Sequence, residues 1–327
     1  MAFLFAHSDG AASNFPPLCF PLPTSLSVCD SCNGLLLLQQ AFFDFGLPTL
    51  PMGYVVYNPA TRNSVAIPFQ SSAERDLLRV GFAFDGRCYR VIRVCGGSDA
   101  GTLEFEIFSS QTGEWRVKQL SIPDQQSAIY YALPPMHSNQ SVFLKESLYW
   151  LLGKFLLIFH TKEESLMLVE LPGRSNSGLS VDKCIWESEG CLNYCRCDKK
   201  GICVWALGAE DSKLEWRMKH RGSLEISPAS EISSFSSSFE PCAFNDDFGT
   251  LYMHCNRRLF SYKIETGLLK EVSIDSLEAS CAENICALYP FLYCTVDLPI
   301  FHARSLSIDF LVNKIPAGRS CSDGPRG

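Results

Sequence analysis

The 327-residue chain contains little that reads as helix and no apolar run long enough to cross a bilayer. Its greasiest stretch, "SLYWLLGKFLLIF" (residues 147–159), is broken by Gly153 and Lys154 and reads as two strands meeting at a turn. The opening residues, "MAFLFAHSDG", have no basic start and too short an apolar run for a secretory signal. Positive charge is also short: 28 Lys and Arg stand against 35 Asp and Glu, a net −7. Phosphate backbones bind basic surfaces, so no nucleic-acid partner is expected, and no membrane partner either. Arg87, Arg90 and Arg93 are neighbours in sequence but do not share one strand face, and they read as scattered solvated charges. Gly-x-Ser-x-Gly, P-loop and His-Glu-x-x-His patterns are missing, which excludes the hydrolase, nucleotide and zinc-protease chemistries they support.

Cysteine is not scarce, at 16 residues. Without a secretory start, the expected setting is a reducing cytoplasm or nucleus, with free thiols rather than disulfides. Cys29 and Cys32 form a C-x-x-C, but no second pair stands at zinc-ribbon distance. Cys191, Cys195, Cys197 and Cys203 crowd into "CLNYCRCDKKGIC". Four thiolates can hold zinc tetrahedrally. Cys195 and Cys197, however, flank Arg196 on one strand face, and Cys203 lies across a Lys-Lys-Gly turn. The expectation is therefore buried reduced thiols in a hairpin, with no metal or other cofactor.

What the chain does have is a recurring hairpin. In "YVVYNPATRNSVAIP" an apolar strand runs into Asn58-Pro59, a few small or polar residues follow, and a second apolar strand begins. Pro59 fixes a turn corner, and Asn58, Thr61 and Asn63 can cap the turn with their side chains. Ile107-Phe108 repeats the Val56-Tyr57 position 51 residues on, and Ile158-Phe159 repeats it 51 further. Val204-Trp205 follows after 46 residues and Ser261-Tyr262 after 57. Five copies near 50 residues apart, built from strands, predict an all-β propeller of four-stranded blades, with the last blade or blades degenerate.

Segment by segment, residues 1–27 carry four prolines and read as a loose lead-in. "SCNGLLLLQQ" predicts a turn at Asn33-Gly34 and a buried strand. "RVGFAFDGRCYRVIRVCGGSDAGTLEFEIFSSQTGEWRV" predicts four strands in succession, with turns at Asp85-Gly86 and Thr112-Gly113. Residues 140–172 and 244–272 repeat that plan. The Ser-rich stretches 174–186 and 222–240 predict loops, "SSAERDLLRV" has room for one helical turn, and the propeller domain is expected over 28–299. Residues 300–327 read as a disordered polar tail.

Taken in order, "DSCNGLLLL", "YVVYNPATRNSVAIP", "VGFAFDG…YRVIRV", "LEFEIFSSQTGEWRV", "SVFLKESLYWLL" and "ALYPFLYCTVDLP" resemble the F-box-associated domain of plant F-box proteins. The resemblance spans roughly residues 28–299. It implies a kelch-like propeller that captures a protein substrate for an SCF-type (cullin) ubiquitin ligase. Gly96-Gly97, Phe108 and Trp115 fall at kelch-like offsets. Trp216 fills the Trp place with a longer turn, and Ser64, Leu166 and Leu269 take it in the other blades. Family members begin with a helical F-box that docks a Skp-type adaptor. "FPPLCFPLPTSLSVCDS" has Leu-Pro without a following helix, so an F-box is not expected in residues 1–27, and the adaptor is a partner only where an F-box is present.

Two alternatives stand beside the protein-binding propeller: a propeller-fold glycoside hydrolase, and a fragment with no function of its own. A glycosidase needs two carboxylates at one pocket, and Glu104, Glu106, Asp246 and Asp247 are available. The six histidines (7, 137, 160, 220, 254 and 302) are scattered. Trp115 reads as a blade-core residue. Tyr130 and Tyr131 lie in a Pro-bounded interblade stretch and serve equally as binding or packing residues, so the sequence assigns no catalytic, metal, cofactor or protein-binding residue.

Overall fold

A computed structural model describes residues 26–40, 53–68, 77–122, 141–173, 182–224 and 239–272, apart from 60, 62, 98, 100, 199, 200, 211, 212, 247, 248, 256 and 257. Within these residues the chain forms twenty strands and no helix. Blade 1 contains β1 (Leu26–Cys32), β2 (Leu35–Gln40), β3 (Tyr54–Asn58) and β4 (Asn63–Ala66). Blade 2 contains β5 (Leu77–Phe84), β6 (Tyr89–Gly96), β7 (Thr102–Ser109) and β8 (Glu114–Ser121). Blade 3 contains β9 (Ser141–Leu144), β10 (Ser147–Leu152), β11 (Phe155–His160) and β12 (Ser165–Glu170). Blade 4 contains β13 (Asp182–Ser188), β14 (Cys191–Asp198), β15 (Gly201–Glu210) and β16 (Lys213–Gly222). Blade 5 contains β17 (Glu240–Asn245), β18 (Thr250–Cys255), β19 (Arg258–Lys263) and β20 (Leu268–Glu271). Each blade is an antiparallel meander in chain order, and the five together make a five-bladed β-propeller.

The five recurring dipeptides all lie on the third strand of a blade, and the hairpin they announce joins the third strand to the fourth. Asn58 caps the first of these hairpins by accepting the Thr61 amide on its side-chain oxygen at 3.3 Å. In four blades the residue across from the repeated aromatic is the one expected: Tyr57 faces Ser64, Phe108 faces Trp115, Phe159 faces Leu166 and Tyr262 faces Leu269. Blade 4 differs. Its β15–β16 hairpin is longer and bulged at Lys219, so Met218 faces Trp205 and Trp216 faces Leu207. Trp216 therefore lies two residues from the place the sequence suggested, on the same face.

Two other expectations change. Residues 182–186 belong to β13 rather than to a loop, because Cys184 and Trp186 alternate with Ile185 to fill two different cores. Leu77–Val80 begins β5, leaving 71–76 of the suggested helical turn outside the described residues. Residues 1–25, Tyr130, Tyr131 and everything after 272 are outside them too.

Blades 2, 3 and 4 bury both faces against neighbouring blades, which explains near-continuous apolar strands such as Phe155–Phe159. On β6, Tyr89 and Val91 enter the core shared with blade 1, while Ile92 and Val94 enter the core shared with blade 3. The first strands of successive blades, β1, β5, β9, β13 and β17, contact one another in that order. They are the inner strands, and each has one edge with no strand beside it among the described residues.

Side chains fill that edge on β5. The Trp150 indole N–H donates to the Val80 carbonyl at 2.9 Å, and the ring packs so closely that a Cβ on Gly81 would lie 2.3 Å from it. Asn33 donates to the Phe84 carbonyl at 2.7 Å, and the Phe84 amide donates to Cys32 Sγ at 3.3 Å. Between them sits Asp30, 1% exposed. Its Oδ2 accepts the Phe82 amide at 3.0 Å and the Ser141 hydroxyl, and its Oδ1 accepts the Ser31 amide at 2.9 Å. One carboxyl thus ties β1, β5 and β9 together.

Burial pushes the Asp30 carboxyl up to about 8, against the pull of these hydrogen bonds. The folded state therefore keeps a proton that the unfolded chain releases above its ordinary value of 3.8. Stability linked to this group is fully present below about pH 4, falls as pH rises towards about 8, and is level above that. Asp30→Asn should flatten this part of the pH profile in urea denaturation. Asp30→Ala should lose about 1–3 kcal/mol at acidic pH by taking the nearer acceptor from the Phe82 amide and leaving it only Ser141 Oγ at 3.4 Å. An unchanged slope in Asp30→Asn would remove Asp30 as its source.

Candidate interaction surface

Of the carboxylates that the sequence offered for a glycosidase, the three described ones do not meet at an open pocket. Glu104 and Glu106 both point from β7 towards blade 1, and they are 4% and 0% exposed. Arg93 Nη1 lies 2.7 Å from Glu106 Oε2, and Gln119 Nε2 donates to Glu104 Oε2 at 3.5 Å. These groups sit between two sheets, where a substrate has no access. Asp246, at the end of β17, accepts the Ser188 hydroxyl from blade 4. Asp247 is outside the described residues.

The arginines are correspondingly not scattered solvated charges. Arg93 is spent on Glu106, and Arg90 reaches across to donate to the Thr161 carbonyl of blade 3 at 3.2 Å. Arg87 alone of the three is exposed, on the turn held by Asp85. Facing strands bring charge partners into register that spacing along one strand does not reveal: Arg93 and Glu106 are direct neighbours across β6–β7.

The cysteine cluster divides between two faces. Cys195 and Cys197 lie 3.9 Å apart at sulfur, with Cys184 across from Cys195 and Met253 Sδ 3.8 Å from Cys197, all in the core between blades 4 and 5. Cys203 faces Arg196 on the opposite side, and Cys191 is half-buried at the strand start. Burial holds the Cys195 thiol well above its ordinary value. Among the described residues no three His, Cys, Asp or Glu side chains converge as a metal cage. In the C-x-x-C, Cys29 is the extra residue of a bulge in β1, and Cys32 serves the β5 edge, its thiol pushed up to about 12 by burial. Of the histidines, His160 bonds Ser147 and His220 bonds Tyr262, 13 and 42 residues away, so each belongs to its own hairpin or blade junction.

With these groups committed to the interior, the outward-facing side chains lie on the fourth strands, which form the rim. Their exposure alternates, as the "eieeieie" order of β8 and the mostly alternating β16 show. Large apolar side chains exposed there occur singly: Val117, Met167, Met218 and Leu268. The rim is stitched by side chains. Trp115 is half-buried against Phe108, with ring centroids 5.5 Å apart, and donates its indole N–H to the Pro68 carbonyl of blade 1 at 2.7 Å. Trp216 does the same for blade 4, donating to the Glu170 carbonyl of blade 3 at 3.0 Å. Glu164 pairs with both Arg116 and Lys118, the latter at 3.2 Å.

One rim strand stands apart. β16 is ten residues long and carries Lys213, Arg217, Lys219 and Arg221 against a single carboxylate, Glu215. Sequence reasoning passed over it, although "KLEWRMKHRG" shows apolar and charged residues alternating next to four cations in an acidic chain. Asp30 was passed over too; its signal is a lone carboxylate inside an apolar inner strand.

Residues 17–294 match the F-box associated beta propeller domain family. The chain belongs to that family. An F-box protein of Arabidopsis thaliana is 22% identical over 299 residues, covering 86% of this chain and 67% of its own length. Among solved structures, a chain of the mitotic checkpoint complex superposes with a TM-score of 0.40 at 11% identity, over 76% of this chain and just under two thirds (65%) of that one. The GH93 α-L-arabinofuranosidase of Fusarium graminearum, in complex with arabinobiose, gives 0.41 at 11% identity, over 77% and 83%. Superpositions this loose carry no argument about activity. The propeller module of F-box proteins is a protein-interaction domain, and that is the class of this chain.

Trp115 is thus a blade clamp on the rim and only half-buried. Trp115→Ala should lower stability by about 2 kcal/mol, less than the ~3–5 kcal/mol of a fully buried Trp. A thermal melt with a binding assay tests this: lost binding at an unchanged melting temperature would make Trp115 a contact residue instead.

Proposed function

We propose that this propeller is the substrate-holding module of an SCF-type ubiquitin ligase subunit, presenting a captured protein while an F-box contacts the Skp-type adaptor. The family match over residues 17–294 carries this reading. The structure supports it by elimination of the interior: the buried carboxylates, thiols and aromatic rings are engaged in holding blades together, which leaves the rim and blade ends as contact surface. A binding module needs such a rigid scaffold, because ordering a loose surface would cost affinity. A cytoplasmic or nuclear setting is part of the proposal.

The test is affinity capture with the full chain as bait, with and without an F-box fused ahead of Met1. The fused form should bring down the Skp-type adaptor and should recover the same further protein as the unfused chain. Recovery of no specific protein by either form, with the propeller folded by circular dichroism, would contradict the proposal.

A further inference from the structure

We propose that the outer edge of β16 is a docking strip for an extended acidic segment of the partner protein, added as a fifth strand to blade 4. The proposal deepens the protein-binding reading and rests on it. β16 closes its sheet in the order β13-β14-β15-β16, so its outer edge has no strand beside it among the described residues. An exposed edge offers alternate backbone N–H and C=O groups to any chain that can lie along it.

Edge strands are usually guarded, and β16 has two guards: its lysines and the bulge at Lys219. The guards are selective. The bulge leaves six regular residues, Lys213–Met218, enough for a short strand. The charge repels a second copy of β16 and any basic segment, but attracts carboxylates. No other rim strand has this balance. β4 ("NSVA") has no charge, β12 only Glu170, and β20 one Lys and one Glu. β8 has two cations and one carboxylate, with both cations drawn to Glu164. On β16 both lysine pairs are long and wet: Lys213 lies 3.5 Å from Glu215 and Lys219 3.5 Å from Glu189, with carboxylates 52% and 78% exposed, contacts that solvent screens readily.

The two faces of β16 set the sequence of the incoming strand. Leu214 and Trp216 lean on the core shared with blade 3, and Met218, on the same face, is 49% exposed. Lys213, Glu215 and Arg217 are on the other face, with Lys219 following at the bulge, so that this side carries three cations against one carboxylate. A fifth strand continues this alternation. It would place apolar side chains beside Trp216 and Met218, and Asp or Glu beside the cations. The inferred ligand class is therefore a run of five or six residues alternating apolar and acidic, within a chain of net charge −7 that otherwise repels acidic segments at long range.

The probe is a fluorescent peptide of about ten residues alternating Val and Glu, titrated by anisotropy with the full chain. Two controls accompany it: Glu replaced by Lys throughout, and a central Val replaced by Pro, which removes a ladder N–H. The acidic peptide should bind, weaken as salt rises, and lose about tenfold in affinity with the double variant Arg217→Glu, Lys219→Glu, whose thermal melt should be unchanged. The Lys and Pro peptides should not bind. Equal binding of the Pro peptide, indifference to the double variant, or no binding at millimolar peptide would each overturn the strip. A partner recovered by capture but held equally by the double variant would overturn the strip too, while leaving the protein-binding function standing on another face.

Discussion

The structure depends on how five inner strands tolerate an edge without a neighbour. A buried N–H or C=O left unpaired costs about as much as a lost hydrogen bond, and strands around an axis cannot all pair with one another. On β5 the answer is side chains from both flanking blades. Trp150 comes from blade 3, Asn33 and Cys32 from blade 1, and Asp30 from blade 1 accepts the Phe82 amide while taking the Ser141 hydroxyl of blade 3. The axis is thereby fixed by polar contacts of defined length rather than by apolar packing alone, which tolerates sliding. The close approach of Trp150 to Gly81 shows how little slack remains.

That arrangement allots chemistry by radius. Near the axis, polar groups serve backbone edges. Between blades, apolar rings and sulfurs fill the cores, and buried pairs such as Arg93–Glu106 face each other across neighbouring strands. At the rim, Trp115 and Trp216 tie β8 and β16 to the blade before each, and the remaining charge faces water. Only this outer layer can change its side chains without disturbing a junction, so partner choice is most easily written there. β16, the longest rim strand and the most basic, has the most room for it.

Much of the fold was legible in the sequence, because the repeat lies on a hairpin. The position seven residues after each third-strand aromatic predicted four cross-strand neighbours, including Phe108–Trp115. It failed in blade 4, where a longer hairpin and a bulge put Met218 in that place: register beyond a bulge cannot be counted from spacing. β13 was read as loop because Ser-rich residues precede it and mask the short alternation of "KCIWES". The site was less legible. Glu104, Glu106 and Arg93 looked available because the sequence shows charge without showing that both faces of a blade are buried. Asp30 and the β16 cations carry signals in single strands, but their meaning depends on which strand is inner and which is outer, and that follows only from the assembled blades.

The most direct measurement is hydrogen exchange at the Phe82 amide in the folded protein. If Asp30 and Ser141 close the β5 edge, this amide should exchange as slowly as the paired amides of β6 and β7, with the free energy of global unfolding. In Asp30→Ala its protection should collapse while β6 and β7 keep theirs relative to the variant's own stability. Fast exchange of Phe82 in the unaltered protein, at rates near those of exposed turns such as Gly86, would show that the axis is open and contradict the account.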